Sequence, residues 1–68
     1  MTNKVKKYRN NLNLTQEELA SMADISRPYL SEIENDNVNP TLRTAGKIAM
    51  ALKTTVDDLF GEITKVKT

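Results

Sequence analysis

Apolar residues recur along this chain at intervals of three and four, with polar residues between them. That spacing keeps one stripe of a helix turned inward. Val5, Tyr8 and Leu12 stand at i, i+3 and i+7 with lysines on the remaining faces, which predicts a first helix near residues 3–12. The later helices announce their starts. Thr15 followed three residues on by Glu18 makes a capping box, in which the hydroxyl takes a free backbone N–H and the glutamate reaches back to the cap. Ser26 heads RPYLSEIEN, Thr41 follows Pro40 and heads LRTAGKIAMALK, and Thr55 heads VDDLF before Gly61. Each places a hydroxyl cap ahead of an apolar-periodic run. Helices are therefore expected near 16–23, 27–35, 42–52 and 56–60. Their connections are short, and no segment alternates as a hairpin would. The expected fold is all-α, a compact five-helix bundle.

Only two glycines and two prolines occur, and nothing reads as a linker, so residues 1–61 are expected to form one domain followed by a short tail, 62–68. Ile63, Thr64 and Val66 make that tail β-branched, though it is too short to assign as a strand.

Composition narrows the chemistry. A chain of 68 residues has room for one core and none for a large enclosed cavity. It carries neither cysteine nor histidine, which removes disulfides, Cys/His zinc sites, thiol nucleophiles and the usual proton shuttle. No nucleophile and base stand out as a pair, so neither an enzyme, a cofactor nor a metal is expected. At 38% hydrophobic and 28% charged residues the chain should fold. No apolar run approaches the roughly 20 residues of a membrane span. The start, MTNKVKKYRN, is charged with no apolar stretch after it, unlike a secretory signal, and a cytoplasmic location is expected.

The stretch from Thr15 to Asn35 holds two short helices joined by Asp24, Ile25 and Ser26, the outline of a helix-turn-helix. Joined this tightly, they should bury Leu19, Ala20 and Ala23 against Leu30 and Ile33. At about 100° per residue, Ser26, Tyr29, Leu30 and Ile33 fall on one side of the second helix and Arg27, Pro28, Ser31 and Glu32 on the other. The second set suits base edges in a major groove. Arg27 can fork onto guanine, Glu32 can accept from the cytosine amino group, Ser31 can bond several partners, and Pro28 can meet a thymine methyl.

The segment LTQEELASMADISRPYLSEIENDNVNPTLRTAGKIAMAL resembles the helix-turn-helix of the Cro and repressor family of phage and bacterial regulators, and the likeness extends over roughly residues 3–60. Its most specific parts are LTQEELA, SRPYLSEIE with its IEN ending, the NPTL turn, and the close from KIAMAL to VDDLF. The resemblance implies a transcriptional regulator, most simply a repressor, that binds a double-stranded operator. It implies base contacts from Ser26, Arg27, Pro28, Ser31 and Glu32. Thr15, Gln16, Asn35, Asn37, Asn39 and Arg43 would hold the sugar-phosphate chain, positioning the protein while the helix face specifies. Arg9 and Glu34 match a pair of opposite charges that ties the first helix to the end of the third, a structural role. Pro28 departs from the family, which generally carries a polar or charged residue there.

A homodimer fits this picture, because one short helix reads little and two copies about a twofold axis read a palindrome with half-sites about one helical turn, ~34 Å, apart. Its interface is expected at Leu52, Val56, Leu59, Phe60 and Ile63, with Val66 beside them. Two rivals stand next to the repressor: an antitoxin or restriction-modification controller of the same fold, and a protein-interaction module that has lost DNA binding.

Charge keeps the second rival open. The net charge is only +1, and Glu17, Glu18, Asp24, Glu32, Glu34 and Asp36 surround the motif against Arg27 alone. Neutral donors must then contribute, and affinity should depend only modestly on salt for a DNA binder. Lys4, Lys6 and Lys7 suit a solvated face as well as a phosphate clamp. Tyr8, Tyr29 and Phe60, dispersed over separate helices, read as packing rather than as a stacking platform. Asp57 and Asp58 open a short helix, where carboxylates meet the favourable end of its dipole.

Overall fold

The computed structural model describes residues 3–61, which form five helices: α1 Val5–Asn11, α2 Gln16–Met22, α3 Arg27–Glu34, α4 Leu42–Ala51 and α5 Val56–Phe60. The starts of α2 to α5 follow from their caps. Thr15, Ser26, Thr41 and Thr55 are extended, and each side-chain oxygen accepts from the amide three residues on. At Thr15 the box closes, with its own N–H donating to Glu18 Oε1 at 2.8 Å.

The helix ends have a common form. Asn13, Asp24, Asp36 and Lys53, one each after α1 to α4, have left-handed backbone with φ between 57° and 60°. At each, the left-handed residue's N–H bonds the carbonyl three back and the next N–H bonds the carbonyl five back, as in Asp24 to Ser21 and Ile25 to Ala20. This Schellman closure satisfies carbonyls the helix leaves orphaned. Glycine normally supplies the left-handed residue, and here only α5 ends on one, Gly61 at φ 80°.

Three connectors are one four-residue device: Leu12-Asn13-Leu14-Thr15, Ala23-Asp24-Ile25-Ser26 and Leu52-Lys53-Thr54-Thr55. Each runs helix end, left-handed residue, return residue and hydroxyl cap. Leu14 and Ile25, at the return position, pack onto the core. The α3–α4 connector starts the same way and then adds Val38, Asn39 and buried Pro40 before Thr41.

α1 begins two residues later than periodicity suggested, with Lys4 as its N-cap and Asn3 ahead of the helix. Asn3 Nδ2 donates to the Ile33 carbonyl at 2.7 Å and to Asp36 Oδ1 at 2.9 Å, while Lys4 N–H donates to the Leu59 carbonyl at 2.8 Å. The inward stripe of α1 also differs from expectation. Val5 and Arg9 are buried and Tyr8 half-buried, whereas Leu12, at the helix end, is 43% exposed.

α2 packs on α3 and α4, and α5 closes the bundle against α1 and α4. Val5, Leu19, Leu30, Ile33, Ile48 and Leu59 are the largest fully buried side chains, and Ala20, Ala23, Ala45, Ala49 and Leu52 fill between them. The dimer surface expected from sequence is corrected by this packing. Leu52 and Leu59 are 3% and 1% exposed within a single chain, so they cannot also face a partner. Val56 and Phe60 are half-buried against the same core. Ile63 and Val66, with the rest of 62–68, lie outside the described residues.

At the α4–α5 connector, Thr54 Oγ1 donates to Asp58 Oδ2 at 2.8 Å. That hydrogen bond, and a second from Thr55, hold the Asp58 carboxyl below its ordinary 3.8.

Candidate nucleic-acid interface

α3 is anchored along one side and free along the other. Leu30, Ile33 and Glu34 are buried and Tyr29 is half-buried, while Arg27, Pro28 and Glu32 are exposed and Ser31 is half-buried. Arg27, Pro28, Ser31 and Glu32 thus form one outward strip, as the 100° rotation requires. Ser26, which that rotation puts on the inner side, is exposed, because as N-cap it precedes the helix and turns its oxygen onto Tyr29 N–H at 3.1 Å. Its hydroxyl proton remains to donate outward. Pro28 sits in the first turn, where a missing N–H leaves no gap in the ladder.

Behind this strip lies a buried polar junction. Arg9 Nε donates to Glu34 Oε2 at 2.8 Å and Nη2 to Glu34 Oε1 at 3.3 Å. The third arm, Nη1, donates to the Leu14 carbonyl at 2.8 Å. Gln16 Nε2 donates to the same Glu34 Oε1 at 3.1 Å. One carboxylate therefore joins α1, the opening of α2 and the end of α3. No buried polar side-chain atom among the described residues is left without a partner.

The residues expected to grip sugar and phosphate flank α3. Thr15 is exposed and Gln16 half-buried before it; Asn35, Asn37 and Asn39 are exposed after it, and exposed Arg43 lies in the first turn of α4. Asn35 caps α3, and Asp36 is tied down by Asn3, which steadies this loop. Lys47 Nζ and Asp24 Oδ2 are 3.9 Å apart, joining α4 to the turn of the motif. With Asp24 92% exposed, that contact adds little stability. Sequence reasoning missed Asn3 and the Gln16–Glu34 bond. Both link positions far apart in the chain, and no local pattern marks them.

The chain matches the helix-turn-helix family over residues 5–59. The chain belongs to the helix-turn-helix family. This helix-turn-helix protein is 42% identical over 64 residues to the immunity repressor protein of Bacillus phage phi105, an alignment covering 94% of the chain and 44% of the phage protein. The chain thus spans less than half the length of that relative. It is 41% identical over 64 residues to the control protein C.MunI of a Mycoplasma species, covering 93% of the chain and 86% of that protein. Among solved structures it is similar to SinR, the master regulator for biofilm formation, in complex with DNA. There the TM-score is 0.74 at 31% identity, covering 78% of this chain and 86% of that one.

The helix-turn-helix assignment gives the buried junction its place: it lies at the base of the motif, where both helices of the pair meet α1. Among the described residues no helix is long and apolar enough to cross a membrane, and no three acidic side chains gather as a metal site would require.

Proposed function

We propose that this chain is a DNA-binding transcriptional regulator of the repressor or controller type, which reads duplex DNA by laying α3 in the major groove. The observation that carries this reading is the division of α3 into a side buried by Leu30, Ile33 and Glu34 and an open strip of Arg27, Pro28, Ser31 and Glu32. Ser26 and that strip contact bases, with Arg27 forking onto guanine and Glu32 accepting from cytosine. Thr15, Gln16, Asn35, Asn37, Asn39 and Arg43 contact the backbone and set the register. Likeness to a phage immunity repressor and to a DNA-bound regulator supports this reading.

The domain of residues 1–61 acts as one half of a homodimer on a palindromic operator. With Leu52 and Leu59 taken by the core, Val56 and Phe60 are what remains of the expected interface among the described residues. A controller of restriction-modification genes is a narrower form of the same reading, supported by the likeness to C.MunI.

Selection of bound sequences from a random duplex pool tests the proposal. A recovered pair of inverted half-sites about ten base pairs apart centre to centre is expected. Recovery of no preferred sequence, with binding that vanishes at moderate salt, would remove the specific reading and leave only phosphate attraction.

A further inference from the structure

We infer that Glu34 is a positioning residue for DNA binding, its buried carboxylate aiming the Gln16 side-chain amide at a phosphate. This rests on the proposal that Gln16 touches the DNA backbone, and it gives the Arg9–Glu34 pair a part in recognition beyond tying helices together. Glu34 is the better-buried partner, its side chain 2% exposed against 10% for Arg9. Its Oε1 receives both Arg9 Nη2 and Gln16 Nε2, at 3.3 and 3.1 Å.

Gln16 is held from two directions. Arg9 Nη1 fixes the Leu14 carbonyl, two residues before it, and Glu34 fixes its amide. A primary amide has two N–H donors. With one spent on a buried carboxylate, turning the amide away would break a charge-assisted bond. The second N–H and the amide oxygen, which bond no other described side chain, then keep fixed directions on a half-buried residue.

Two physical consequences favour phosphate as the target. A long side chain on a surface loses rotamer freedom when it binds, and here that loss is already taken in the free protein. A carboxylate beside a phosphate would ordinarily repel it, but Arg9 neutralises Glu34, so the junction presents a neutral donor with no net negative charge. Exposed Arg43, the other proposed backbone contact with a long side chain, has no such support among the described residues.

The test is a double-mutant cycle on the full chain: wild type, Gln16→Ala, Glu34→Gln and the double variant, titrated against the selected operator duplex by fluorescence anisotropy. Glu34→Gln keeps the shape but turns one acceptor oxygen into a donor facing donors. Gln16→Ala is expected to weaken binding about tenfold. Glu34→Gln should do much the same, and the double variant should be no weaker than either. Losses that multiply to about a hundredfold would overturn the positioning role while leaving the Gln16 contact standing. No loss from Gln16→Ala would overturn the contact and the inference together, and a wild type that binds no duplex would overturn the DNA reading itself. Should Glu34→Gln fail to fold, relaxation of the Gln16 side-chain amide in the free wild type decides. Order near that of rigid backbone supports the role, and the free motion of an exposed glutamine sinks it.

Discussion

Arg9 and Glu34, 25 residues apart in sequence, meet through two hydrogen bonds in a place where each side chain is at most 10% exposed. A pair this well buried is hard to break from one side. Glu34→Ala strands a guanidinium away from water and should cost about 3–5 kcal/mol. That is a large share of the roughly 5–15 kcal/mol that holds a small domain together. Replacing both at once, Arg9→Met with Glu34→Leu, removes the stranded charge and should recover most of the loss. Urea unfolding measures both, and a double variant no more stable than Glu34→Ala would contradict the account.

Lys53 holds a left-handed backbone at φ 58° although it carries a Cβ. An L residue pays about 1–2 kcal/mol there and glycine pays almost none. After subtracting glycine's extra freedom in the unfolded chain, Lys53→Gly should raise stability by about 0.5–1 kcal/mol. Lys53→Ala should leave it nearly unchanged. Thermal melts of the two variants separate backbone strain from loss of the lysine charge.

Gly46 lies inside α4, and beyond its chain neighbours and that helix's own nearby backbone nothing among the described residues comes within 4 Å of the position a Cβ would take. No described neighbour requires glycine there, and its backbone freedom costs helix stability. Gly46→Ala should stabilise the chain by about 0.5–1 kcal/mol, measured by urea midpoint at unchanged slope.

Arg27 and Arg43 should fail differently. Arg27→Ala, on the open strip of α3, should cost about 1–3 kcal/mol and relax preference at one base pair. Arg43→Ala should weaken all operators alike and lower the salt slope by about 1. Binding isotherms over a panel of operator variants and salt concentrations check both, and indistinguishable profiles would dissolve the division between reading and gripping.

Asp58 titrates below 3.8 because Thr54 and Thr55 hydrogen-bond its ionised form. A depressed carboxyl contributes stability above its unfolded pKa and loses it as pH falls through the folded value. The contribution is therefore full at neutral pH and fades only below about pH 4. Thr54→Val should raise the Asp58 midpoint towards its ordinary value, read by NMR titration of the carboxyl carbon. An unmoved midpoint would mean that the Thr54 bond does not form in solution.

The beginnings of α2 to α5 were plain in the sequence, that of α1 was not, and the ends fell within a residue of expectation without showing how each helix stops. Threonine and serine caps act locally, so Thr15, Ser26, Thr41 and Thr55 mark α2 to α5 to the residue. The stops at α1 to α4 use asparagine, aspartate and lysine in a conformation usually left to glycine, and residue type alone does not reveal it. The open strip of α3 follows from rotation and was legible, apart from Ser26 at its edge. Leu12 and Arg9 were harder to rank, since periodicity points to the leucine and only the distant Glu34 explains why the arginine is the one buried. Leu52 and Leu59 show a further limit. Apolar residues on two short helices carry the same pattern whether another helix of the same chain or a second copy covers them.

The elbow repeated before α2, α3 and α5 also bears on how this chain could change over time. Its left-handed residue and its hydroxyl cap lie outside the hydrophobic interior, while the return residues Leu14 and Ile25 pack onto it. Interior leucines could drift to isoleucine or methionine while the pitch of the reading helix stayed as it is. Altering the length of one elbow by a single residue would instead swing everything downstream of it. Lineages of this architecture should therefore vary in what fills them and be conservative at these three bends.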